Sequence, residues 1–219
     1  MTVITISREA GSWGDEIARR TSSLLQYTLI DKVTMIEAAT KTGISESGFI
    51  DLDVDSYQFR NLTDRLLGRK EPEMKVAIPT VTSASGMDFR IQTLDAKQCM
   101  ATLQTVITFL SKSGNIVIVG RGGQAILKDA KDALHVKIIA PFEVRVRRVM
   151  ESQGCNENKA FWFIRDRDKA ITQYLKRFFG IEWNDNTLYH LVINTGKLDV
   201  EQSSDVIVSS DRELVPIIK

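Results

Sequence analysis

Short apolar runs alternate with amphipathic stretches along most of the chain. Apolar, largely β-branched runs predict five strands, at 3–6, 27–30, 116–119, 134–139 and 191–193. Apolar residues recur at helical spacing in 17–25 and in 99–110, after which Gly114 is a natural stop. Strands that alternate with helices favour a parallel sheet covered on both faces, with ligands beyond the carboxyl ends of its strands. The pattern therefore predicts an α/β protein with a five-stranded parallel sheet.

Two stretches interrupt this alternation. Residues 40–98 are polar and contain Pro72 and Pro79 among their turn signals, so we expect an insertion over the sheet. Residues 154–180 are charged and aromatic, and the stretch FWFIRDRDKAITQYLKRFFG within them predicts a long helix that ends at Gly180. Because no internal repeat or low-complexity tract divides the chain, we expect residues 1–219 to form a single domain.

Composition and charge narrow the possible partners. The 219 residues are 43% hydrophobic and 26% charged, which is enough for one substantial core. With 29 basic and 28 acidic residues, the chain has no net field to attract nucleic acid or an anionic membrane. Cys99 and Cys155 are far apart in sequence and favour a reducing compartment, and no apolar run has the length of a membrane span. We expect a cytoplasmic protein whose anion sites are local.

The turn after the first strand has the outline of a phosphate-binding loop without its lysine. The stretch ITISREAGSWGDEIARR places a glycine-containing turn between a strand and an amphipathic helix. Such a turn offers backbone N–H groups to an anion whatever its side chains are. A Walker loop also carries Gly-Lys followed by Ser or Thr for the phosphates and Mg²⁺, and this turn does not. An alternative stays open, in which Gly11 and Gly14 only allow a tight turn.

Two carboxylates follow the turn. Asp15 and Glu16 suit the start of a helix electrostatically, yet they would repel a bare phosphate. A Mg²⁺ ion between them and the phosphate would remove this conflict. We therefore predict Asp15 and Glu16 as metal ligands.

Two cations could replace the missing lysine. Arg8 directly follows the first strand, and its guanidinium could bind phosphates in a bidentate geometry. Lys32 follows the second strand and would approach from the acceptor side. The alternative for Arg8 is an ion pair with Glu9 or Asp31.

A second glycine turn imitates a dinucleotide-binding fingerprint. The stretch IVIVGRGGQAIL fits G-x-G-x-x-A after a strand, and Glu143 lies about twenty residues beyond Gly123. The segment that follows is short and charged, which makes it a poor crossover helix. A dinucleotide-binding oxidoreductase stays a distant alternative, and so does a simple turn with Arg121 in solvent.

Five arginines could surround a transferred phosphoryl group, namely Arg145, Arg147, Arg148, Arg165 and Arg167. Arg145 and Arg148 are three residues apart and share a helix face, whereas Arg147 points elsewhere. Phosphoryl transfer needs several cations around the developing charge. A solvated charged face is the competing interpretation.

Other chemistries lack the residues they need. His135 and His190 belong to no metal-ligand spacing, and no G-x-S-x-G turn supports a hydrolase.

Taken together, the motifs resemble the cytidylate kinase-like family of P-loop proteins over nearly the whole chain. The stretch ITISREAGSWGDEIA resembles the opening strand and loop of that family, LIDKVTMIEAA the second strand, and VIVGRGGQAIL the third. HVKIIAPFEVRVRRVM resembles the fourth strand and its arginine helix, RDRDKA the lid, and YHLVINTGKLDVEQ the last strand and helix. The resemblance removes the dinucleotide alternative, because the second glycine turn then lies beside the substrate.

The resemblance implies a three-layer P-loop NTPase fold with an acceptor-binding insertion at 40–98 and a helical lid at 154–185. It implies ATP and Mg²⁺ as cofactors. The expected nucleotide contacts are Ser7, Arg8, Gly11, Ser12, Trp13, Gly14, Asp15 and Glu16. The expected acceptor contacts are Asp31, Lys32, Arg121 and Gly122, and the expected catalytic residues are Arg8, Arg148, Arg165 and Arg167. Gly14 falls at the position of the lysine, and Glu37 replaces an arginine that would bind the monophosphate.

The expected function is transfer of the ATP γ-phosphoryl group to a nucleoside monophosphate or a similar small acceptor. The default acceptor is cytidylate, by resemblance only. The alternative is a nucleotide-binding module with little or no catalysis. A homo-oligomer is compatible with either function, and we expect neither nucleic acid nor a membrane as partner.

Overall fold

The computed structural model describes residues 2–31, 34, 74–82, 86–94 and 96–217. The chain divides into two compact units, one of Met1–Asp31 with Val106–Lys219 and one of Lys32–Thr105. The described elements in chain order are β1 (Val3–Arg8), α1 (Gly14–Leu25), β2 (Thr28–Ile30), β3 (Met74–Thr82), β4 (Gly86–Leu94), α2 (Ala96–Ser113), β5 (Ile116–Val119), α3 (Gly123–Ile126), β6 (Ala133–Ile139), α4 (Phe142–Gln153), α5 (Glu157–Phe179), a 3-10 helix (Asn186–Leu188), β7 (Leu191–Asn194) and α6 (Val200–Ile217).

The first unit is built on a five-stranded sheet in the order β2-β5-β1-β6-β7. All its pairings are parallel, and the central strand β1 pairs with both β5 and β6. The prediction of a parallel five-stranded sheet is confirmed. The crossovers bring the carboxyl ends of β1 and β5 together, and both strands end in glycine-containing turns.

The two faces of this sheet differ in chemistry because side chains alternate along each strand. One face is apolar, and Ile4, Ile6 and Val136 pack there in one cluster with Ile17 of α1 and Ile207 of α6. Each of these five side chains is at most 1% exposed. Burial of this face against two amphipathic helices is the main hydrophobic contribution to the unit.

The opposite face is buried and polar. Thr5, Ser7, His135 and Lys137 project from β1 and β6, and each is at most 5% exposed. The Thr5 hydroxyl lies 2.8 Å from His135 Nδ1. Trp183 Nε1 donates to the Ser7 hydroxyl at 2.8 Å. Alternate positions of the same strands thus divide into an apolar layer and a hydrogen-bonded layer.

The predicted long helix is confirmed. Helix α5 begins after Asn156, whose side chain accepts from the amide of Lys159, and it ends at Gly180 with a φ of 67°. The helix after the second glycine turn has only four residues, Gly123–Ile126. This short helix agrees with the expectation that the turn does not begin a dinucleotide crossover. None of the helices in the described ranges is long and apolar enough to span a membrane.

The second unit contains an antiparallel hairpin of β3 and β4, in which Met74 is opposite Leu94. Pro79 lies inside β3, opposite Phe89, and not at a turn as its residue type indicated. A two-stranded ribbon tolerates proline because each strand has an unpaired edge. Most of the expected insertion at 40–98, including Pro72, lies outside the described residues.

Candidate anion site at the first loop

The loop between β1 and α1 turns through two residues with left-handed backbone. Gly11 has a φ of 77° and Trp13 a φ of 65°. A Cβ at Gly11 would come within 2.9 Å of the Arg145 carbonyl oxygen, so glycine is needed there for space as well as for φ. Trp13 keeps this unusual conformation under the guanidinium of Arg148, whose Cζ is 3.2 Å from the ring centroid.

Three backbone amides of the loop donate to protein acceptors. Glu9 N donates to the Ile138 carbonyl at 3.0 Å, and Ala10 N donates to Asp168 Oδ1 at 3.1 Å. Ser12 N donates to the Glu9 carbonyl at 3.2 Å. We call Glu9, Ala10 and Ser12 the inner side of the loop.

Five further amides of the loop and the first helical turn have no such acceptor. Within the described ranges, no protein acceptor takes the N–H groups of Gly11, Trp13, Gly14, Asp15 and Glu16. Helix α1 also begins without a side-chain cap. We call these five residues the outer side of the loop. Unsatisfied N–H groups at a helix start are the groups that bind anions in such turns.

Arg145 of α4 bonds to two residues on the inner side of the loop and to their neighbours. Its Nη1 donates to Asp168 Oδ2 at 2.6 Å and to the Ala10 carbonyl at 3.2 Å. Its Nε donates to the Ala140 carbonyl at 3.1 Å and lies 3.4 Å from Glu9 Oε2. Only 7% of the Arg145 side chain is exposed. Arg145 therefore joins the loop, α4 and α5, a structural role that differs from the solvated face considered from sequence.

Glu9 and Asp168 were not among the predicted site residues. Burial raises the pKa of Glu9, opposed mainly by the hydrogen bond from the Ala140 amide and by the charge of Arg145. A carboxylate that directly follows an arginine in a loop has no sequence pattern that separates it from a solvated one. The partners become visible only when α4 and α5 pack beside the loop.

Arg148 is held by Thr195, the residue directly after the last strand. Its Nη1 donates to the Thr195 hydroxyl at 2.9 Å, and its Nη2 donates to the Thr195 carbonyl at 2.7 Å. The same hydroxyl donates to the Ser12 carbonyl at 2.9 Å. Arg145 and Arg148 thus lie on one helix face, as their spacing predicted, and each fixes a different part of the loop.

Arg8 lies beside the outer side of the loop. Its Nε donates to Asp15 Oδ1 at 3.0 Å. Asp15 is thus its ion-pair partner, in place of the Glu9 or Asp31 considered from sequence. In the described part of the chain, neither Nη group of Arg8 donates to a protein acceptor. Of the two lysine substitutes predicted from sequence, Arg8 is at the loop, and Lys32 lies outside the described residues.

The predicted metal ligands are both exposed. Asp15 is bonded to Arg8, and Glu16 Oε1 is 3.9 Å from Arg19 Nη2. No group of three or more His, Cys, Asp or Glu side chains capable of holding a metal occurs among the described residues. Two exposed carboxylates fit Mg²⁺, which binds through one or two carboxylates together with phosphate oxygens and water. Glu16 fits better, because its arginine contact is the longer one.

The other predicted nucleotide contacts have protein partners for their side chains. The Ser7 hydroxyl is buried and accepts from Trp183, and the Ser12 hydroxyl donates to the Glu9 carbonyl at 2.8 Å. The amide and carbonyl of Ser12 are also bonded within the protein, so neither side chain is available to a nucleotide unless its partner moves. Their role as nucleotide contacts stays a prediction.

The predicted acceptor contacts lie near the ends of β2 and β5. Asp31 follows β2 and is partly buried. Arg121 is 8% exposed, and its carbonyl accepts from Tyr174 Oη at 3.4 Å. A Cβ at Gly122 would meet Phe179 at 2.5 Å, so helix α5 packs directly on this turn. Whether these residues bind an acceptor stays a prediction.

Arg165 and Arg167 are exposed on α5. The guanidinium of Arg165 lies over the rings of Phe161 and Trp162, and that of Arg167 lies 4.5 Å from the ring centroid of Phe163. Their catalytic role stays a prediction.

A buried lysine on the polar face was missed from the sequence. Lys137 Nζ donates to the Trp183 carbonyl at 2.9 Å and to Asn184 Oδ1 at 3.1 Å. Burial lowers the pKa of Lys137, and the charges of Glu9 and Asp168 oppose this shift. Lys137 on the polar face of the sheet thus interacts electrostatically with Glu9 on the inner side of the loop and with Asp168, which binds that side. A lysine inside the apolar run LHVKIIA is the only sequence signal of this arrangement.

The sheet order and the position of the loop define the class of protein. Helices α1 and α6 cover one face, α3 packs on the other through Gly123 and Thr5, and the glycine-containing loop follows the central strand. This arrangement is the three-layer α/β fold of P-loop proteins.

The chain belongs to the cytidylate kinase-like family, whose model matches residues 3–197. It is 32% identical over 107 residues to a cytidylate kinase of Pyrococcus horikoshii, a match that covers 49% of this chain and 55% of that protein. The chain thus spans about half the length of that curated relative.

Two solved structures support the fold. A protein of Eubacterium ventriosum aligns with a TM-score of 0.65 at 20% identity and covers 97% of this chain and 99% of its own. A gluconokinase of Sinorhizobium meliloti aligns with a TM-score of 0.52 at 8% identity and covers 99% and 95% respectively.

Proposed function

We propose that this protein is a phosphotransferase that moves the γ-phosphoryl group of ATP to a small acceptor. The observation that carries the proposal is the outer side of the loop, where five amides without protein acceptors lie next to Arg8. Backbone N–H groups at the start of a helix favour a phosphate, and a nearby guanidinium adds charge-assisted hydrogen bonds. Membership in the cytidylate kinase-like family supports a nucleotide as ligand.

The residues present fit ATP and Mg²⁺. The outer-side amides of Gly11, Trp13 and Gly14 would hold phosphate oxygens, and Glu16, with Asp15, would hold the metal. When bound, Mg²⁺ neutralises charge on the phosphate oxygens. The protein contributes positioning and fixed positive charge, which do most of the work in phosphoryl transfer.

The proposed acceptor is a nucleoside monophosphate, with cytidylate as the first candidate. We assign its binding to Asp31, Lys32, Arg121 and Gly122. Arg121 and Gly122 belong to the turn at the end of β5, the strand next to β1. A ligand in the crevice beyond these two strands would contact both glycine turns.

The proposed catalytic set combines two kinds of arginine. Arg165 and Arg167 are exposed on α5 and would act on the transferred group when bound nucleotide draws them in. Arg148 acts through Trp13 and Thr195, so we assign it the positioning of the loop. Arg8 supplies the charge next to the phosphates.

The test is incubation with ATP, Mg²⁺ and a panel of nucleoside monophosphates, with ADP formation as the readout. Faster ADP formation with one monophosphate than with water alone supports the proposal and names the acceptor. In that assay, Arg121→Ala should raise the KM for the acceptor, whereas Arg165→Ala and Arg167→Ala should lower kcat. Equal kinetics in the three variants would contradict these roles, leaving Arg165 and Arg167 as part of a solvated face and Arg121 as a buried structural residue.

A second candidate is a nucleotide-binding module without appreciable catalysis. Gly14 at the position of the Walker lysine favours it, since losing one such contact typically costs roughly 10²- to 10³-fold in rate. Saturable ATP binding without ADP formation in the presence of any monophosphate would establish the module. Absence of both binding and turnover would reject both candidates.

A further inference from the structure

Compared with a Walker loop, this loop has its cation and one of its glycines at exchanged sequence positions. A Walker loop reads G-x-x-x-x-G-K-[ST], so glycine stands first and lysine seventh. Counted from the end of β1, the first position here is Arg8 and the seventh is Gly14.

These two positions exclude each other in space. A Cβ built on Gly14 would lie 2.3 Å from Arg8 Cβ and 2.6 Å from Arg8 Cγ. Real Cβ atoms do not approach other heavy atoms so closely. Gly14 does not have a left-handed backbone, so its conformation does not demand glycine. A side chain at the seventh position is therefore incompatible with the Arg8 side chain as it is placed here.

A second glycine makes room for the far end of Arg8. A Cβ on Gly120, directly after β5, would lie 2.5 Å from Arg8 Nη1, and the φ of 69° at Gly120 favours glycine independently. The arginine therefore reaches from the end of β1 across Gly14 to Gly120, and its guanidinium lies between two parallel strand ends. Asp15 holds Nε, which leaves the Nη groups for a ligand.

We propose that Arg8 is the phosphate-binding cation of this loop and that Gly14 is a glycine because it accommodates the Arg8 side chain. The loop is then a Walker loop in which the cation and the glycine are exchanged between its two ends. This assignment rests on the proposed function. It predicts a polyphosphate chain as the ligand. The planar fork of arginine binds phosphate oxygens in a bidentate way that lysine cannot reproduce.

The test uses inorganic tripolyphosphate with Mg²⁺ as the probe, measured by calorimetry, together with urea unfolding without ligand. Arg8→Gln, which keeps Cβ and Cγ but removes the charge, should bind tripolyphosphate about tenfold more weakly or worse. Arg8→Lys, which keeps the charge but not the bidentate fork, should bind tripolyphosphate more weakly than wild type and more tightly than Arg8→Gln. Tripolyphosphate bound equally by wild type and Arg8→Gln would overturn the assignment.

The exchange of positions is tested by placing a lysine at position 14, where a Walker loop has it. Gly14→Lys alone should unfold at a lower urea concentration than wild type, because its Cβ meets Arg8. Adding Arg8→Gly should restore the unfolding midpoint and bring tripolyphosphate affinity to within about threefold of wild type. Adding Arg8→Ala is the matched control and should restore neither, because alanine keeps the Cβ at 2.3 Å.

The outcomes separate the two proposals. A wild type that does not bind tripolyphosphate would overturn the proposed function and the role of Arg8 together. A wild type that binds, combined with equal rescue by Arg8→Gly and Arg8→Ala or with rescue by neither, would overturn only the exchange of positions.

Discussion

The inner and outer sides of the first loop both present backbone amides, but only the inner amides have protein acceptors among the described residues. Amides on the inner side, at Glu9, Ala10 and Ser12, donate to the protein. Amides on the outer side, at Gly11, Trp13, Gly14, Asp15 and Glu16, have no acceptor among the described residues. One loop thus combines amides whose hydrogen bonds fix its shape with amides that have no acceptor among the described residues.

The arginines follow the same division. Arg145 is 7% exposed and bonded to protein through Nε and Nη1, whereas 31% of the Arg8 side chain is exposed. A buried arginine between two carboxylates stabilises the fold once it is made, because removing it leaves buried charge without a partner. An exposed pair such as Arg8 with Asp15 contributes little to stability. Stability measurements can therefore distinguish the two sides.

The largest effect is expected at Arg145. Arg145→Met should lower the free energy of unfolding by about 3–5 kcal/mol, because Glu9 and Asp168 lose the cation between them. Urea unfolding measures the change. Arg147→Met on the exposed side of the same helix is the control and should change stability by no more than about 0.5 kcal/mol. Equal effects of the two substitutions would show that the burial and ion pairs of Arg145 do not stabilise the fold.

A pH titration tests the polar face that supports the inner side. Burial, together with the neighbouring His190, lowers the pKa of His135 from 6.5 to about 4. The folded state thus resists protonation more than the unfolded chain, so the stabilising contribution is complete above pH 6.5 and is lost as the pH falls to about 4. The loss should approach about 3 kcal/mol. His135→Gln should remove this part of the pH dependence, and a wild-type slope in that variant would contradict the prediction.

A smaller effect is expected where the last strand holds the loop. Thr195→Val keeps the shape of the side chain but removes the hydrogen bonds to Ser12 and from Arg148. We expect a loss of about 1–2 kcal/mol in the free energy of unfolding. Thr105→Val on the exposed face of α2 is the matched control. A Thr195 variant as stable as its control would show that the carbonyl of Ser12 needs no fixed donor.

The smallest effect on stability is expected at Arg8. Arg8→Gln removes only an ion pair to an exposed carboxylate, so unfolding should change by less than about 1 kcal/mol. The same variant should lose affinity for tripolyphosphate, which separates binding from folding. A loss of stability as large as that of Arg145→Met would show that Arg8 holds the fold together, as Arg145 does.

Much of the fold follows from the sequence alone. Apolar β-branched runs and amphipathic segments determine element type locally, so the five strands and helix α5 were predicted close to their observed bounds. Gly180 ends α5 as expected, because glycine adopts the left-handed conformation without strain. The spacing of Arg145 and Arg148 also fixed their common face, since helical geometry depends only on sequence separation.

The partners of these arginines were decided by the tertiary structure. Asp168 reaches Ala10 across 158 positions, and Thr195 reaches Ser12 across 183, distances over which no local pattern carries information. The conflict between Arg8 and a side chain at position 14 is likewise a property of two backbones in space. The sequence determined that a glycine loop follows the first strand and lacks lysine. Only packing determined which of its amides and arginines hold the loop and which keep donors without an acceptor among the described residues, because burial and hydrogen-bond partners arise when distant elements meet.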